Sequence, residues 1–438
     1  MGVKLFGYHA GNNGVSHYRI WQPLKYLGRI EGFHVERLPD RLERIQWEGL
    51  TGPCNVPGIG SHAEIVDNHD VIMSNFRGSF EDGVRLEIQA QLKPLIIDCD
   101  DDILNIDASN PAEHLKAWRE EKPDVWLEIP EGMEESAEWK KNANNVGGKI
   151  LQNPKDNKWY LWQCRRAPWK NAIEQMKMAA LVTVSTPKLK RLYQKFNGNT
   201  VVIPNGVDFE LWPAKNVIDD GIIRIGLFGS NTHYQDWFEI VDTLDLILRE
   251  NPNVRLCFNN WWRGKSKQGQ SLDEFDKKPQ FPDFFEKKGF LDHPQVEIIQ
   301  PCEIQDYPKW LAETSIDIGL APLKKSAFNE GKSNIKYLEF SALKIPGVYA
   351  DIITYNDDVQ HGHNGFLAGN PDEWYSCITR LIKDADLRRV MANRAHLDVK
   401  ARYDQAKISA KLGAEILKIV DRSEHEARMS RLNLVAAR

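Results

Sequence analysis

The chain has 438 residues, of which 42% are hydrophobic and 27% are charged, and it carries a formal net charge of −5. This composition predicts a globular protein and excludes the disordered and fibrous classes, and the length fits two domains of about 200 residues each. The negative balance excludes a general attraction to nucleic acid or anionic lipid, so any such partner needs a local basic patch.

Short apolar segments alternate with helical segments along the chain, a pattern typical of parallel α/β layers. The first segment is interpreted as a strand and not as a signal peptide, because no small-residue cleavage site follows it. The predicted strands of the first half are Val3–Tyr8, Phe33–Leu38, Val71–Ser74, Leu95–Asp98, Leu181–Val184 and Val201–Ile203. The predicted strands of the second half are Ile222–Phe228, Val254–Phe258, Val296–Ile299, Ile316–Ala321, Gly347–Ala350 and Gly365–Leu367. The predicted helices are Tyr18–Leu27, Pro187–Phe196, Trp237–Arg249, Tyr307–Glu313, Ile335–Leu343 and Glu373–Lys383.

Two doubly wound α/β sheets follow from this alternation, and such sheets bind ligands at the carboxyl ends of their strands. The turn-forming cluster Pro204–Asp208 marks the boundary between them. We therefore expect one Rossmann-like lobe over residues 1–205 and a second over 206–403. The remaining residues, 404–438, are expected to form a helix and tail that pack back toward the first lobe.

The cysteines and the hydropathy bear on location. No apolar run reaches the roughly 18 residues that a membrane-spanning helix needs. The six cysteines are scattered singly, without a C-x-x-C pair, which argues against a zinc site and against a disulfide scaffold. Isolated thiols are typical of a reducing compartment, so we expect a cytoplasmic protein without a transmembrane segment.

Two long stretches interrupt the regular alternation. Residues 113–170 hold six of the fourteen tryptophans, and residues 259–292 open with Trp261-Trp262-Arg263. Long insertions in a compact α/β lobe are often lids or recognition elements. A small helical subdomain packed on its own aromatic residues is an equally good interpretation of each.

The segment Phe328–Phe340 predicts an anion-binding helix start. Ser333 suits the N-cap of the following helix, and Lys332, Lys336 and Glu339 should share one of its faces. The adjoining apolar positions are Ile335, Leu338 and Ala342. Because a helix N-terminus attracts anions, the row suits a diphosphate near the lysines and a sugar hydroxyl pair at the carboxylate. The alternative is an exposed Lys–Glu pair without a ligand.

Two further segments carry candidate polar groups. A glycine and small hydroxyl residues follow a strand at Gly229–His233, where the backbone could approach a phosphate, although a plain turn is an equal alternative.

The acidic cluster Asp98–Asp102 ends a buried strand of the first lobe. One of its carboxylates could orient or deprotonate an acceptor hydroxyl; Mg²⁺ or Mn²⁺ binding and a solvated or capping role are the alternatives.

Several motifs together resemble a known family. In chain order they are Gly11–Gly14 with Tyr18-Arg19, Asp98–Leu104, Val182–Pro187, Pro204–Asp208, Gly226–Ser230, Lys332–Glu339 and Asn364–Leu367. The set resembles a GT-B glycosyltransferase of the retaining, family-4-like kind, and its acidic cluster resembles that of a bacterial and bacteriophage subgroup. The resemblance covers most of the chain outside the two insertions. It implies two Rossmann-like lobes that face a central cleft.

The resemblance also implies roles for the matching residues. Glu339 would hold the ribose hydroxyls of the nucleotide, and Lys332 would neutralise the departing diphosphate. The candidate catalytic residues are Lys332, Asp100 and His233. The candidate donor-binding residues are Gly229, Ser230, Asn231, Thr232, Lys325, Ser333, Asn334, Lys336 and Glu339. The candidate acceptor-side residues are Gly14, Arg19, Asp98, Asp101 and Asp102.

The sequence departs from the family pattern at two places. Relatives usually carry a glutamate eight positions before Glu339, where this chain has Gly331, with Glu330 one place off. They also usually carry an Arg or Lys just after the glycine loop, where this chain has Ser230-Asn231-Thr232-His233. Either Lys325, Lys332 and His233 replace that charge, or the donor is handled differently. The resemblance implies no metal and no cofactor beyond the donor substrate.

The function implied is transfer of a hexosyl or pentosyl group, with retention, from a nucleotide diphospho-sugar such as a UDP- or GDP-sugar. The acceptor is a modified DNA base of a phage genome, or alternatively a cell-surface glycan or lipid-linked sugar. A local basic and aromatic patch could serve the nucleic-acid acceptor. It comprises Trp162, Arg165, Arg166, Trp169 and Lys170. A nucleotide-sugar epimerase and an inactive two-lobed binding protein are the alternatives outside transferase function.

Overall fold

A computed structural model of the chain describes residues 2–9, 11–40, 58–75, 90, 92–106, 125–134, 136–137, 139–140, 149–152, 157–163, 168–229, 233–259 and 293–436. These residues form two six-stranded sheets, whose strand pairings are all parallel, and a separate three-stranded antiparallel sheet. The predicted α/β architecture of two doubly wound lobes is confirmed.

The first lobe is built on the strand order β2-β1-β3-β4-β8-β9. Its strands are β1 (Val3–Tyr8), β2 (Phe33–Arg37), β3 (Val71–Asn75), β4 (Leu95–Cys99), β8 (Leu181–Val184) and β9 (Thr200–Val202). Every residue of the three central strands β3, β4 and β8 is buried. Near-continuous apolar strands of this kind indicate a sheet that is covered on both faces. Polar residues at the ends of these strands are therefore candidates for a functional role.

The second lobe is built on the strand order β12-β11-β10-β13-β14-β15. Its strands are β10 (Ile223–Leu227), β11 (Val254–Asn259), β12 (Val296–Ile299), β13 (Ile318–Ala321), β14 (Gly347–Ala350) and β15 (Phe366–Ala368). One hydrophobic core joins this sheet to its helices. The strand order places β10 and β13 in the centre, so their carboxyl ends form the middle of the sheet edge that faces the first lobe.

The described helices are short in the first lobe and longer toward the C-terminus. They are α1 (Gly14–Ser16), α2 (Gln22–Leu27), α3 (His62–Asn68), α4 (Pro168–Met178), α5 (Pro187–Tyr193), α6 (Tyr234–Phe238), α7 (Val241–Glu250), α8 (Tyr307–Glu313), α9 (Ile335–Ala342), α10 (Ile353–Asn356), α11 (Pro371–Lys383), α12 (Ala385–Arg402) and α13 (Gln405–Ala436). A π-helical turn, His17–Trp21, joins α1 to α2. Such turns are uncommon and frequently lie at functional sites.

The insertion at 113–170 contains a sheet where the sequence offered a helical subdomain. Its described strands are β5 (Val125–Glu128), β6 (Lys149–Gln152) and β7 (Trp159–Gln163), with a small core around Ile129 and Leu161. The helical interpretation is wrong for this part, because the aromatic run Trp159-Tyr160-Leu161-Trp162 suits a strand. Residues 260–292 of the second insertion lie outside the described residues, as do Arg165, Arg166 and the side chains of the other patch residues.

The two lobes are joined by two crossings that run side by side. Val207 on the first crossing and Asp404 on the second form a parallel β-bridge, in which the Val207 N–H donates to the Tyr403 carbonyl at 2.7 Å. Helix α13 then packs on the first lobe, where Leu412 and Ile416 are buried in the core that includes Leu27. In the described part of the chain, no helix has the length and apolar character needed to cross a lipid bilayer.

Candidate functional site

The lobes meet at the carboxyl ends of β4 and β8 on one side and in front of α9 on the other. The Thr186 hydroxyl, which also caps α5, donates to the Gly331 carbonyl at 3.2 Å. Lys188 forms an ion pair of 2.7 Å with Glu330 across the same junction. These contacts bring the acidic cluster of the first lobe close to the segment that leads into α9.

Gly331 explains one departure from the family pattern. A Cβ atom at this position would lie 3.0 Å from the Cβ of Asp102 and 3.3 Å from a methyl group of Leu189. A glutamate at Gly331 would therefore collide with the first lobe in this arrangement. Glu330 does not replace it as a free carboxylate, because its side chain is paired with Lys188.

Lys332 lies at the centre of this junction. It precedes α9 in an extended conformation (φ −63°, ψ 156°), so it is not on the helix face that the sequence spacing suggested. Its ammonium lies 5.1 Å from the centre of the Phe328 ring. Among the described residues this ammonium forms no hydrogen bond or ion pair, although the Lys332 backbone N–H donates to the Asn329 carbonyl at 3.1 Å. Burial lowers the pKa of Lys332, and the negative charges of Asp236 and Asp101, one from each lobe, act against that shift.

His233 and Asp236 form a hydrogen-bonded pair beside Lys332. The His233 Nδ1 lies 2.8 Å from Oδ2 of Asp236, whose other oxygen accepts from Lys324 and Asn329. Burial, helped by the charge of Lys332, lowers the pKa of His233 to about 4. The imidazole is therefore neutral near pH 7. Because an ionised carboxylate only accepts, Nδ1 carries the proton and Nε2 is left with a lone pair.

His233→Asn is expected to remove one component of the acid sensitivity of folding. The unfolded chain takes up a proton near the ordinary pKa of 6.5 and the folded His233 only near 4. Stability is therefore complete above 6.5 and falls toward 4, by about 1.4 kcal/mol per pH unit. Asparagine keeps a donor toward Asp236 and does not titrate. Urea unfolding at pH 4.5 and 6.5 should show a smaller loss in the variant, and parallel losses would contradict the assignment.

The glycine loop after β10 is only partly described. Gly229 is fixed by the Asn259 side chain, which accepts from its N–H at 3.1 Å and donates to its carbonyl at 2.9 Å. A Cβ at Gly229 would lie 3.2 Å from the His233 ring. The predicted donor-binding residues Ser230, Asn231 and Thr232 lie outside the described residues.

The start of α9 differs from the prediction. Ser333 is not the N-cap: Asn334 precedes the helix, and neither side chain caps it. Instead, the Ser333 hydroxyl accepts from Asn205 at 2.9 Å, and Asn334 donates to Asp358 at 2.7 Å. Both predicted donor-binding side chains therefore tie the helix start to neighbouring segments.

Lys336 and Glu339 are the second and fifth residues of α9, and they are bonded to each other. Lys336 Nζ is 2.7 Å from Glu339 Oε2, and the same oxygen accepts from Tyr307 at 3.1 Å. The other oxygen, Oε1, accepts from Tyr18 of the first lobe at 2.9 Å. The predicted alternative of an exposed pair is wrong, because the Glu339 side chain is only 5% exposed.

Asp98 and Arg19 form a buried ion pair inside the first lobe. Arg19 Nη2 lies 2.7 Å from Asp98 Oδ1, with side chains 2% and 0% exposed. Thr183 also donates to Asp98 at 2.6 Å, while Arg19 Nη1 donates to Asn205 at 3.0 Å. These two predicted acceptor-side residues are thus bonded to protein groups under the junction.

The remaining acidic residues differ from one another. Asp102 accepts from the Asn105 backbone and side chain at 3.1 and 2.8 Å, so its carboxylate is bonded within the turn that follows β4. The carboxylates of Asp100 and Asp101 accept no hydrogen bond from another described residue. Burial, with the charges of Asp101 and Asp98, raises the pKa of Asp100 well above its ordinary value. In the described ranges, no three potential ligands converge on a metal position.

Two predicted residues lie apart from these contacts, and two unpredicted ones join them. Lys325 is exposed, and Gly14 opens α1 behind the cap of Asn13, which accepts from the Ser16 N–H at 2.9 Å. Asp236 and Tyr307 complete the site although no motif singles them out. A histidine–aspartate spacing of three at a helix start was the one available signal for Asp236.

Comparisons with known proteins find the fold in solved structures. No protein-family model matches the chain, and no curated protein sequence matches it. Anabaena HepE in complex with UDP-glucose aligns with a TM-score of 0.58 at 15% identity, over 95% of this chain and 99% of that one. Sucrose-phosphate synthase of Thermosynechococcus elongatus aligns at 0.57 and 12% identity, over 96% and 100%. A Listeria monocytogenes protein provisionally named UDP-N-acetylglucosamine 2-epimerase aligns at 0.50 and 12% identity, over 95% and 96%. These likenesses establish the GT-B-type arrangement of the two lobes.

Proposed function

We propose that this protein is a glycosyltransferase that moves a sugar, with retention, from a nucleotide diphospho-sugar to an acceptor hydroxyl. The observation that carries the proposal is Lys332, a cation at the junction of the lobes that is bonded to no described carboxylate. Asp236 and Asp101 act on its charge from opposite lobes. A half-buried cation that forms no ion pair with the described residues is suited to an anionic ligand, and the departing diphosphate is such a ligand.

The other residues divide between the donor and the acceptor. Glu339 binds the ribose, while the N-terminal end of α9 and the loop at Gly229 face the phosphates. A preorganised positive site stabilises the diphosphate as negative charge develops on it. The neutral His233 offers Nε2 as an acceptor beside the sugar. Asp100, in the acidic cluster that the first lobe places at the junction, receives the acceptor's proton.

HepE complexes support the class of donor. That protein has been solved with UDP-glucose and with UDP and glucose, and its whole chain aligns with this one. We extend the binding of a nucleotide-sugar to this chain as part of the proposal. The sugar is a hexose or pentose, and no cofactor beyond the donor is required.

The acceptor is proposed to be a modified base in phage DNA, with a cell-surface glycan or lipid-linked sugar as the second candidate. The two are separated by binding to duplex DNA at increasing salt, because phosphate contacts make affinity fall steeply as salt rises. Binding that weakens steeply, together with sugar incorporation into DNA, supports the first. Incorporation only into a glycan or lipid acceptor supports the second.

An epimerase is the competing activity, since a protein named for that reaction shares the fold. An epimerase converts the nucleotide-sugar without an acceptor, whereas a transferase releases the nucleotide as the sugar moves. Incubation with donor alone separates the two by product: an isomeric nucleotide-sugar indicates epimerisation. Free nucleotide that increases when acceptor is added indicates transfer.

Nucleotides of the donor class are expected to stabilise the protein. A ligand that binds only the folded state adds about 2.7 kcal/mol when its concentration is 100 times its Kd. Thermal unfolding with a panel of UDP, GDP and their sugars should therefore give one base a clear rise in Tm. The nucleoside without phosphates is the matched control and should give a much smaller rise. A panel without any rise would contradict donor binding.

A further inference from the structure

The two oxygens of Glu339 are held by different lobes. Oε2 accepts from Lys336 at 2.7 Å and from Tyr307 at 3.1 Å, both in the second lobe. Oε1 accepts from Tyr18 at 2.9 Å, and Tyr18 lies in the π-helical turn of the first lobe. Lys336 also donates to the Tyr307 hydroxyl at 2.9 Å. Residues of the second lobe therefore orient the Glu339 carboxylate through Oε2, and Tyr18 of the first lobe occupies Oε1.

Tyr18 stands where a ligand hydroxyl would bind Glu339. Tyr18 is 7% exposed and Glu339 is 4% exposed, so a sugar hydroxyl cannot reach Oε1 while the phenol occupies it. Burial raises the pKa of Tyr18 well above its ordinary value, and the neighbouring Glu339 charge adds to the shift. The phenol therefore remains a hydrogen-bond donor at physiological pH. A ribose hydroxyl is also a donor, so it can replace the phenol with the same number of hydrogen bonds.

Lobe movement would release only one of the two oxygens. Tyr307 and Lys336 move with Glu339, because all three belong to the second lobe. Tyr18 moves with the first lobe, whose core contains its neighbours Ile20 and Trp21. Separation of the lobes thus withdraws the phenol from Oε1 and leaves Oε2 bonded.

We propose that Tyr18 sets the affinity for the donor nucleotide by competing with its ribose for Oε1 of Glu339. The proposal rests on the proposed function, since it takes Glu339 as the ribose-binding group. Nucleotide entry then requires the Tyr18–Glu339 hydrogen bond to break, and the ribose replaces it. The unliganded protein is held closed by the bond that the donor must displace.

Tyr18→Phe tests the competition because it gives an effect opposite to that of an ordinary binding residue. The variant removes the competing donor and leaves Oε1 without a partner in the unliganded protein. Calorimetric titration with UDP and GDP should give a Kd about tenfold lower in the variant than in the wild type, as expected for a hydrogen bond to a charged group. A Kd equal to or above the wild-type value overturns the proposal.

Two matched tyrosine variants serve as controls. Tyr307→Phe removes a donor from Oε2, which the ribose does not displace, and should leave the Kd equal or raise it. Tyr375→Phe removes a tyrosine–glutamate bond to Glu250 far from the junction and should leave the Kd unchanged. A lower Kd in Tyr307→Phe would overturn the distinction between the two oxygens.

The titrations distinguish failure of nucleotide binding from failure of the Tyr18 competition. If the wild type binds neither nucleotide, the proposed function fails and the competition fails with it. If the wild type binds and Tyr18→Phe gains no affinity, only the competition fails. Circular dichroism establishes that the variant folds, and Tyr18→Leu, which also lacks the hydroxyl, provides a second variant with the same expected gain.

Discussion

Replacing Lys332 with alanine is expected to lower turnover about 10²- to 10³-fold, as for the loss of one preorganised group that stabilises a developing anion. The fold should be retained, because the ammonium forms no ion pair within the described residues and its removal breaks none. The Kd of the nucleotide should change much less than turnover, since the charge matters most as the sugar–phosphate bond breaks. Steady-state transfer assays and calorimetry give the two quantities.

Two matched lysine variants complete this test. Lys332→Arg keeps the positive charge and should recover part of the lost turnover. Lys309→Ala removes an exposed lysine of α8 whose ion pair is with Glu313 of the same helix, and should leave turnover unchanged. Wild-type turnover in Lys332→Ala would remove this lysine from the mechanism. An equal loss in Lys309→Ala would show that the assay responds to charge in general.

Asp98→Ala is expected to be the most destabilising single change in the first lobe. It leaves the fully buried Arg19 guanidinium without its carboxylate, and breaking a buried ion pair in this way costs about 3–5 kcal/mol. The Thr183 hydroxyl loses its acceptor as well. Urea unfolding followed by circular dichroism should show the loss as a lower unfolding midpoint.

The double variant Asp98→Leu with Arg19→Met tests whether the loss of stability comes from the unpaired charge of Arg19 or from the loss of the ion pair itself. Apolar residues of similar volume often replace a buried pair at little or no cost. The double variant should therefore regain much of the stability lost by Asp98→Ala. It should also lose the Arg19–Asn205 hydrogen bond. If Asp98→Ala alone unfolds at the same urea concentration as the wild type, the structural role of the ion pair is contradicted.

The strands were largely predictable because β-branched and apolar runs are bounded by polar turns. Val3–Tyr8 and Val296–Ile299 have their predicted bounds in the structure. The predicted helix Trp237–Arg249 is instead two helices, separated at Glu239-Ile240. Neither residue is a glycine or proline, so nothing in the local sequence marks the break.

The helices that were missed have weak or unusual signals. Helix α3 is short, but Ser61 and Glu64 form a complete capping box. The spacing of Ser61 and Glu64 in the sequence is typical of a helix start and could have predicted this helix. Helix α12 buries only a few of its eighteen residues, so its apolar face is narrow and its periodicity faint. Local pattern is a poor guide where tertiary packing supplies most of the stability.

The site was partly predictable for a different reason. Lys332 and Glu339 could be chosen from the sequence because one precedes a predicted helix start and the other lies in the helix that follows. The contact between Tyr18 and Glu339 joins positions 321 residues apart, and no local pattern encodes such a pair. The prediction that Ser333 caps the helix was wrong. Its hydroxyl instead accepts a hydrogen bond from the Asn205 side chain, on the other side of the junction.

The most direct test of the account is a crystal structure with the nucleotide that gives the largest thermal stabilisation. We expect a phosphate oxygen about 3 Å from the Lys332 ammonium, the ribose on Oε1 of Glu339, and the Tyr18 hydroxyl displaced from that oxygen. A diphosphate bound elsewhere, with Lys332 free of it, would contradict the assignment of the donor site.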